Sequence, residues 1–125
     1  MDEKTENKAV IASQNDRFRE ALTDFKKHMI CMGQGIFGKT VFTPMVAELY
    51  DQKRQAILTK IANTSAFDPE NDPYGEHDFG SVTLFDQTYF WKIDLYDQNF
   101  QYGSEQRDDL TKTRRVLTIM HSSEY

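Results

Sequence analysis

The run Glu76-His77-Asp78 is the one place in this sequence where an imidazole has a carboxylate on either side. Carboxylate neighbours can hold a histidine's tautomer for acid–base work, and they can help to ligate a cation. Adjacent residues on an extended loop point to opposite sides, so these three cannot all converge on one ion. A catalytic or metal role would need a further carboxylate, such as Asp94 or Asp72. His77 and Asp94 are therefore the catalytic candidates. The plainer reading is a loop that hydrogen-bonds for structure. His28 and His121 stand at no ligand spacing from His77, and the sequence points to no metal and no cofactor.

Lys92, Asp94 and Tyr96 alternate along one stretch, which puts them on one face of a strand. Arg114 or Arg115 could join them from a neighbouring strand, giving a cross-strand ion pair or a polar site. Gly33, Gly38, Lys39 and Thr40 match the spacing of a phosphate-binding P-loop. That loop needs a helix starting at its Lys-Thr, whereas Val41-Phe42-Thr43-Pro44 intervenes and proline disfavours helix just before it. A glycine-rich strand-to-helix loop is the better reading. Cys31 has no histidine at a recognisable spacing and reads as a buried, inert thiol. No G-x-S-x-G run occurs to support a serine nucleophile.

The elements that must position these residues follow from periodicity. Ile11, Phe18, Leu22 and Phe25 recur at helical spacing and predict a helix over about 9–25. Residues 1–8 read as a frayed tail ahead of a single domain spanning 9–125. The short apolar run His28–Met32, followed by three glycines, predicts a strand and then a loop. Thr43-Pro44 is a helix-start signal, and Val46, Leu49, Tyr50, Ile57 and Ile61 carry that helix to about Ala62. Residues 63–79 predict a loop. Ser81–Phe85 and Thr88–Tyr96 predict a hairpin about Asp86-Gln87, with Tyr89, Trp91, Ile93 and Leu95 facing the core. Arg114–Met120 reads as a strand or as the tail of a helix: Leu110, Leu117 and Met120 fit a helical stripe, while the β-branched Val116, Thr118 and Ile119 favour a strand. The result is an α+β fold, two helices packed on an antiparallel sheet of three to five strands.

The chain has 125 residues and nine Phe, six Tyr and one Trp, too aromatic for a disordered chain. One cysteine excludes an internal disulfide framework and fits a reducing compartment. The charged N-terminal residues hold no apolar signal segment, and no apolar run is long enough to span a membrane. These features predict a cytoplasmic protein with no membrane partner. Residues 1–60 hold ten Lys/Arg against eight Asp/Glu; residues 61–125 hold five against twelve. From Ile61 to Trp91 there is no Lys or Arg at all. That distribution argues against direct nucleic-acid binding and for a protein partner with a basic surface.

Three segments point further. Asn71-Asp72-Pro73-Tyr74-Gly75-Glu76-His77-Asp78-Phe79-Gly80 precedes Phe90-Trp91-Lys92-Ile93-Asp94-Leu95-Tyr96-Asp97, and Thr113-Arg114-Arg115-Val116-Leu117-Thr118-Ile119-Met120 lies near the C-terminus. Their order and spacing resemble the small bacterial proteins of the domain-of-unknown-function 3768 family, over roughly residues 10–125. The chain departs from that pattern at Asp86-Gln87, where the family has an Asp-Gly type of turn, and in a longer, glycine-rich 33–41 segment. The resemblance implies an intracellular bacterial protein, often carried on plasmid, phage or other accessory DNA.

Two functional expectations follow. The first is an acidic interaction protein that inhibits a host defence or nucleic-acid-handling complex. Its binding surface would be Asp68, Glu70, Asp72, Tyr74, Glu76, His77 and Asp78, with Lys92, Asp94 and Tyr96 of the following strand. The second is a small enzyme using His77 with Glu76, Asp78 or Asp94 for acid–base or metal-assisted hydrolysis.

Overall fold

The computed structural model describes residues 5–125. The order is α1 (Lys8–Glu20), a 3₁₀ turn (Ala21–Thr23), α2 (Phe25–Gly33), β1 (Gly38–Phe42), α3 (Pro44–Ala47), α4 (Asp51–Ala62), β2 (Phe79–Leu84), β3 (Gln87–Tyr96), β4 (Arg114–His121) and a closing 3₁₀ turn (Ser122–Glu124). This is an α+β fold with a four-stranded sheet in the order β1-β4-β3-β2. β2, β3 and β4 pair antiparallel, while β1 runs parallel to β4, so the sheet is mixed.

Several expected elements differ in the structure. Residues 1–4 of the expected tail lie outside the described residues, but the rest of it is held in place. The Asn7 side chain accepts the N–H groups of Ala9 and Val10 as the cap of α1, and Glu6 binds Arg107. The single helix expected over 9–25 breaks at the 3₁₀ turn, and His28–Met32 is helix rather than strand. Asp24 caps α2 by accepting the Lys27 N–H, and a five-residue apolar run carries no periodicity able to separate the two states. Phe25 consequently faces solvent rather than the core.

The glycine-rich segment expected as a loop contains β1. Here Gly38 lies against the backbone of β4: a Cβ would fall 2.3 Å from the Arg115 carbonyl oxygen. The helix expected over 44–62 is broken between α3 and α4, where Tyr50 is extended (φ −62°, ψ 152°) and exposed. Arg54 closes that break by donating to the carbonyls of Ala47 and Leu49.

The hairpin forms, one residue earlier than expected. Leu84 pairs with Gln87, and the two loop residues are Phe85 and Asp86, both at positive φ (55° and 57°). That is the geometry of a type I′ turn, whose twist matches the strands it joins.

Trp91, Ile93 and Tyr89 of β3, Leu117 and Ile119 of β4 and Val82 of β2 form the core with Val46, Ile57 and Ile61 from α3 and α4; Phe18 and Leu22 pack at its margin. Trp91 is fully buried, with the missing Cβ of Gly80 leaving room for its indole. α3 and α4 thus bury apolar side chains against one side of the sheet. The register puts Lys92, Asp94 and Tyr96 on the other side, opposite Thr118, Val116 and Arg114 of β4.

Candidate functional site

Loop 63–78 passes over the helical side of the sheet. Phe67 packs on the core and sets the edge of its ring against Trp91. The His77 ring lies flat on Phe67, centroids 4.0 Å apart and planes 3° apart. His77 itself has φ 55°, a left-handed conformation that a non-glycine residue adopts at some cost. That backbone turn aims its side chain back at α1.

His77 Nδ1 lies 2.9 Å from both carboxylate oxygens of Asp16. An ionised carboxylate only accepts, so the Nδ1 proton faces Asp16. Nε2 is 3.7 Å from Asp72 Oδ2, and Asp72 Oδ1 accepts the His77 backbone N–H at 3.0 Å. Asp16 is shared: Arg19 Nη1 donates to it at 2.9 Å. Arg19 is buried and also donates to the carbonyls of Ile61 and Thr64, tying the end of α4 to α1.

A second cluster adjoins. Glu76 is buried and accepts both Nη groups of Arg107 at 2.8–2.9 Å, a bidentate pair. Glu6 accepts hydrogen bonds from Arg107 Nε–H and from its backbone N–H. Asn15 donates to the Glu76 carbonyl and accepts from Arg115 Nε. Of the two arginines, either of which could join the polar sheet face, Arg115 is fully buried on the core side, bonded to Asn15 and Gln14. Burial pulls its guanidinium down to about 10. Arg114 takes the outer position opposite Tyr96 and lies over Phe37.

The ten expected binding residues therefore divide. Asp72 and Glu76 are buried, and Asp78 is half-buried, with desolvation and the Glu76 charge pushing its carboxyl upward. Asp68 is exposed and caps its own turn through the Glu70 and Asn71 N–H groups. Glu70 and Tyr74 are exposed. Lys92, Asp94 and Tyr96 stand on the other side of the sheet, with Lys92 and Asp94 paired at 3.4 Å and their side chains 45% and 43% exposed. Asp94 and His77 thus lie on opposite sides of the sheet, and Asp94 does not join the histidine. Asp72, the other carboxylate the sequence offered, does lie against His77, and it is joined by Asp16, which stands 61 residues upstream on α1 with nothing local in the sequence to mark it.

An open groove of about 530 Å³ runs beside His77, lined by Ala9, Ser13, Asp16, Arg17 and Gly75 among others. Among the described residues, no group of three or more His, Cys, Asp or Glu could hold a metal ion. Lys39 and Thr40 lie in β1 rather than at a helix start, which removes the P-loop geometry. Cys31 is buried in α2, its thiol donating to the Arg17 carbonyl and pushed upward by burial. No helix among the described residues is long and apolar enough to cross a membrane.

The fold and these clusters define a small α+β protein with its helices on one side of a mixed sheet and a charged, aromatic face on the other. Residues 42–124 match the family model described as "Protein of unknown function (DUF3768)", and the chain belongs to that family. No curated protein and no solved structure matches it.

Proposed function

We propose that this chain is a cytoplasmic binding protein, an inhibitor that works by covering a surface of a defence or nucleic-acid-handling complex, with the outer sheet face as its contact surface. The observation that carries this reading is the composition of that face. Lys92, Asp94 and Tyr96 alternate on β3 beside Arg114 on β4, charged and aromatic side chains half-open to solvent on a rigid sheet. The acidic loop contributes less than its sequence suggests, because Asp72 and Glu76 are spent on internal partners. Inhibition of a defence complex rests on the accessory-DNA association that the family resemblance implies.

The test is an affinity capture from bacterial lysate with the wild type and with a Lys92→Glu/Tyr96→Ala double variant. The reading expects a defence or nucleic-acid-handling protein that the double variant loses and a Glu70→Lys variant keeps. Capture unaffected by the double variant removes the sheet face from the argument.

The Asp16–His77 contact at the lip of an open groove supports a second reading, a small hydrolase with His77 as its acid–base group. Against it stands Nε2, which lies toward Asp72. Hydrolysis of simple ester or phosphate substrates that His77→Ala abolishes at unchanged stability would favour it.

A further inference from the structure

Both edges of the sheet end in a strand, and the two are finished differently. At β2, Lys60 donates its ammonium to the Thr83 carbonyl and blunts that edge. At β1, Arg115 N–H donates to the Phe37 carbonyl and Thr43 N–H to the Ile119 carbonyl. Parallel pairing spends every second residue of the strand on its neighbour. Phe37, Lys39, Val41 and Thr43 therefore face β4, and the N–H and C=O groups of Gly38, Thr40 and Phe42 point outward. Four of the five β1 residues are exposed.

A groove of about 490 Å³ runs along this edge on the helical side, walled by Phe18, Leu22, Phe25, His28, Gly38 and Thr40. On the outer side stands Lys39. From Phe25 to Ala47 the chain has Lys26, Lys27, His28 and Lys39 and no Asp or Glu, in a protein of net charge −5. Asp24 also lines the groove, and its carboxylate is occupied as the cap of α2.

We propose that the β1 edge accepts an extended segment of a partner protein as a fifth strand, and that this segment alternates apolar with acidic side chains. The backbone groups of Gly38, Thr40 and Phe42 supply the pairing. The apolar residues of the segment enter the groove against Phe18, Leu22 and Phe25, and its carboxylates meet Lys39 and the carboxylate-free α2–β1 segment. The proposal rests on the binding-protein reading above and names the chemistry of the partner.

The probe is a fluorescent, end-blocked peptide of about seven residues alternating glutamate and valine, titrated against the full chain by anisotropy. Saturable binding is expected, weakening severalfold as salt rises. Thr40→Pro should weaken it by about tenfold or more, because proline removes an outward N–H while edge strands tolerate it. Lys39→Glu should weaken it severalfold. If Thr40→Pro fails to fold, a peptide N-methylated at alternate residues replaces it and should bind no better than background. No saturable binding overturns the proposal, as does equal binding by Thr40→Pro or equal binding of a lysine–valine peptide. A wild-type dimer that Thr40→Pro dissociates also overturns it, since a second copy would then own the edge. Lys92→Glu/Tyr96→Ala should leave peptide binding unchanged, so failure here is distinct from failure of the sheet-face reading.

Discussion

His77 Nδ1 lies within 2.9 Å of both carboxylate oxygens of Asp16, across 61 residues of sequence. That contact, with the stack on Phe67, fastens the long loop between α4 and β2 onto the first helix. Truncating the ring removes a charge-assisted contact and leaves Asp16 half-served at the surface. His77→Ala should cost about 1–3 kcal/mol, read as a lower urea midpoint. Faster amide exchange should be confined to residues 68–78.

Asp78 provides a pH test. Its native carboxyl is pushed above the ordinary value by burial and by the Glu76 charge. The native state then holds the proton more tightly than the unfolded chain, so this group's contribution to stability falls as pH rises through the carboxylate range. Asp78→Asn should raise the urea midpoint at about pH 7 and lose that advantage near about pH 3.

The core is tested at Trp91. It is fully buried, and Gly80 leaves no room for a Cβ against its indole, 2.6 Å away. Trp91→Ala should cost about 3–5 kcal/mol. Gly80→Ala should cost about 1–3 kcal/mol by overpacking. Chemical denaturation reads both, and an unmoved midpoint for either would contradict the strand register.

Lys39 and Thr40 sit in a strand, so millimolar ATP or GTP with magnesium should leave the melting temperature unchanged. A ligand that binds only the native state must raise it, and a rise of several degrees would show a nucleotide site after all.

Cys31 is buried, with its thiol bonded to the Arg17 carbonyl and its ionisation held upward by burial. The thiolate is the reactive form. Alkylation by iodoacetamide at neutral pH should be slow in native buffer and fast in denaturant, followed by mass spectrometry.

Where a side-chain pattern spans a whole element, the sequence was legible. The alternation of Tyr89, Trp91 and Ile93 set the phase of β3, since a strand buried on one side must alternate. The β-branched Val116, Thr118 and Ile119 favoured a strand without excluding a helix, and the structure makes the segment β4. Short elements were not legible. His28–Met32 is helical because Asp24 caps it and Cys31 packs under α1, neither visible in a five-residue apolar run. β1 carries no hydrophobic alternation because four of its five residues are exposed, and only pairing with β4 makes it a strand.

The site divides along the same line. Sequence alone determined the α+β class, the core face of the hairpin, the kinship with the DUF3768 family and the clustering of acids around His77. Tertiary structure decided which of those acids are free. Asp72 and Glu76 turn inward because Arg107 and the His77 N–H stand where they can neutralise or bond them, and a buried carboxylate without such partners would be untenable. It also chose Asp16 rather than Asp94 as the partner of His77. Side-chain pairing between distant segments depends on how helices and strands are stacked, and no local spacing encodes that.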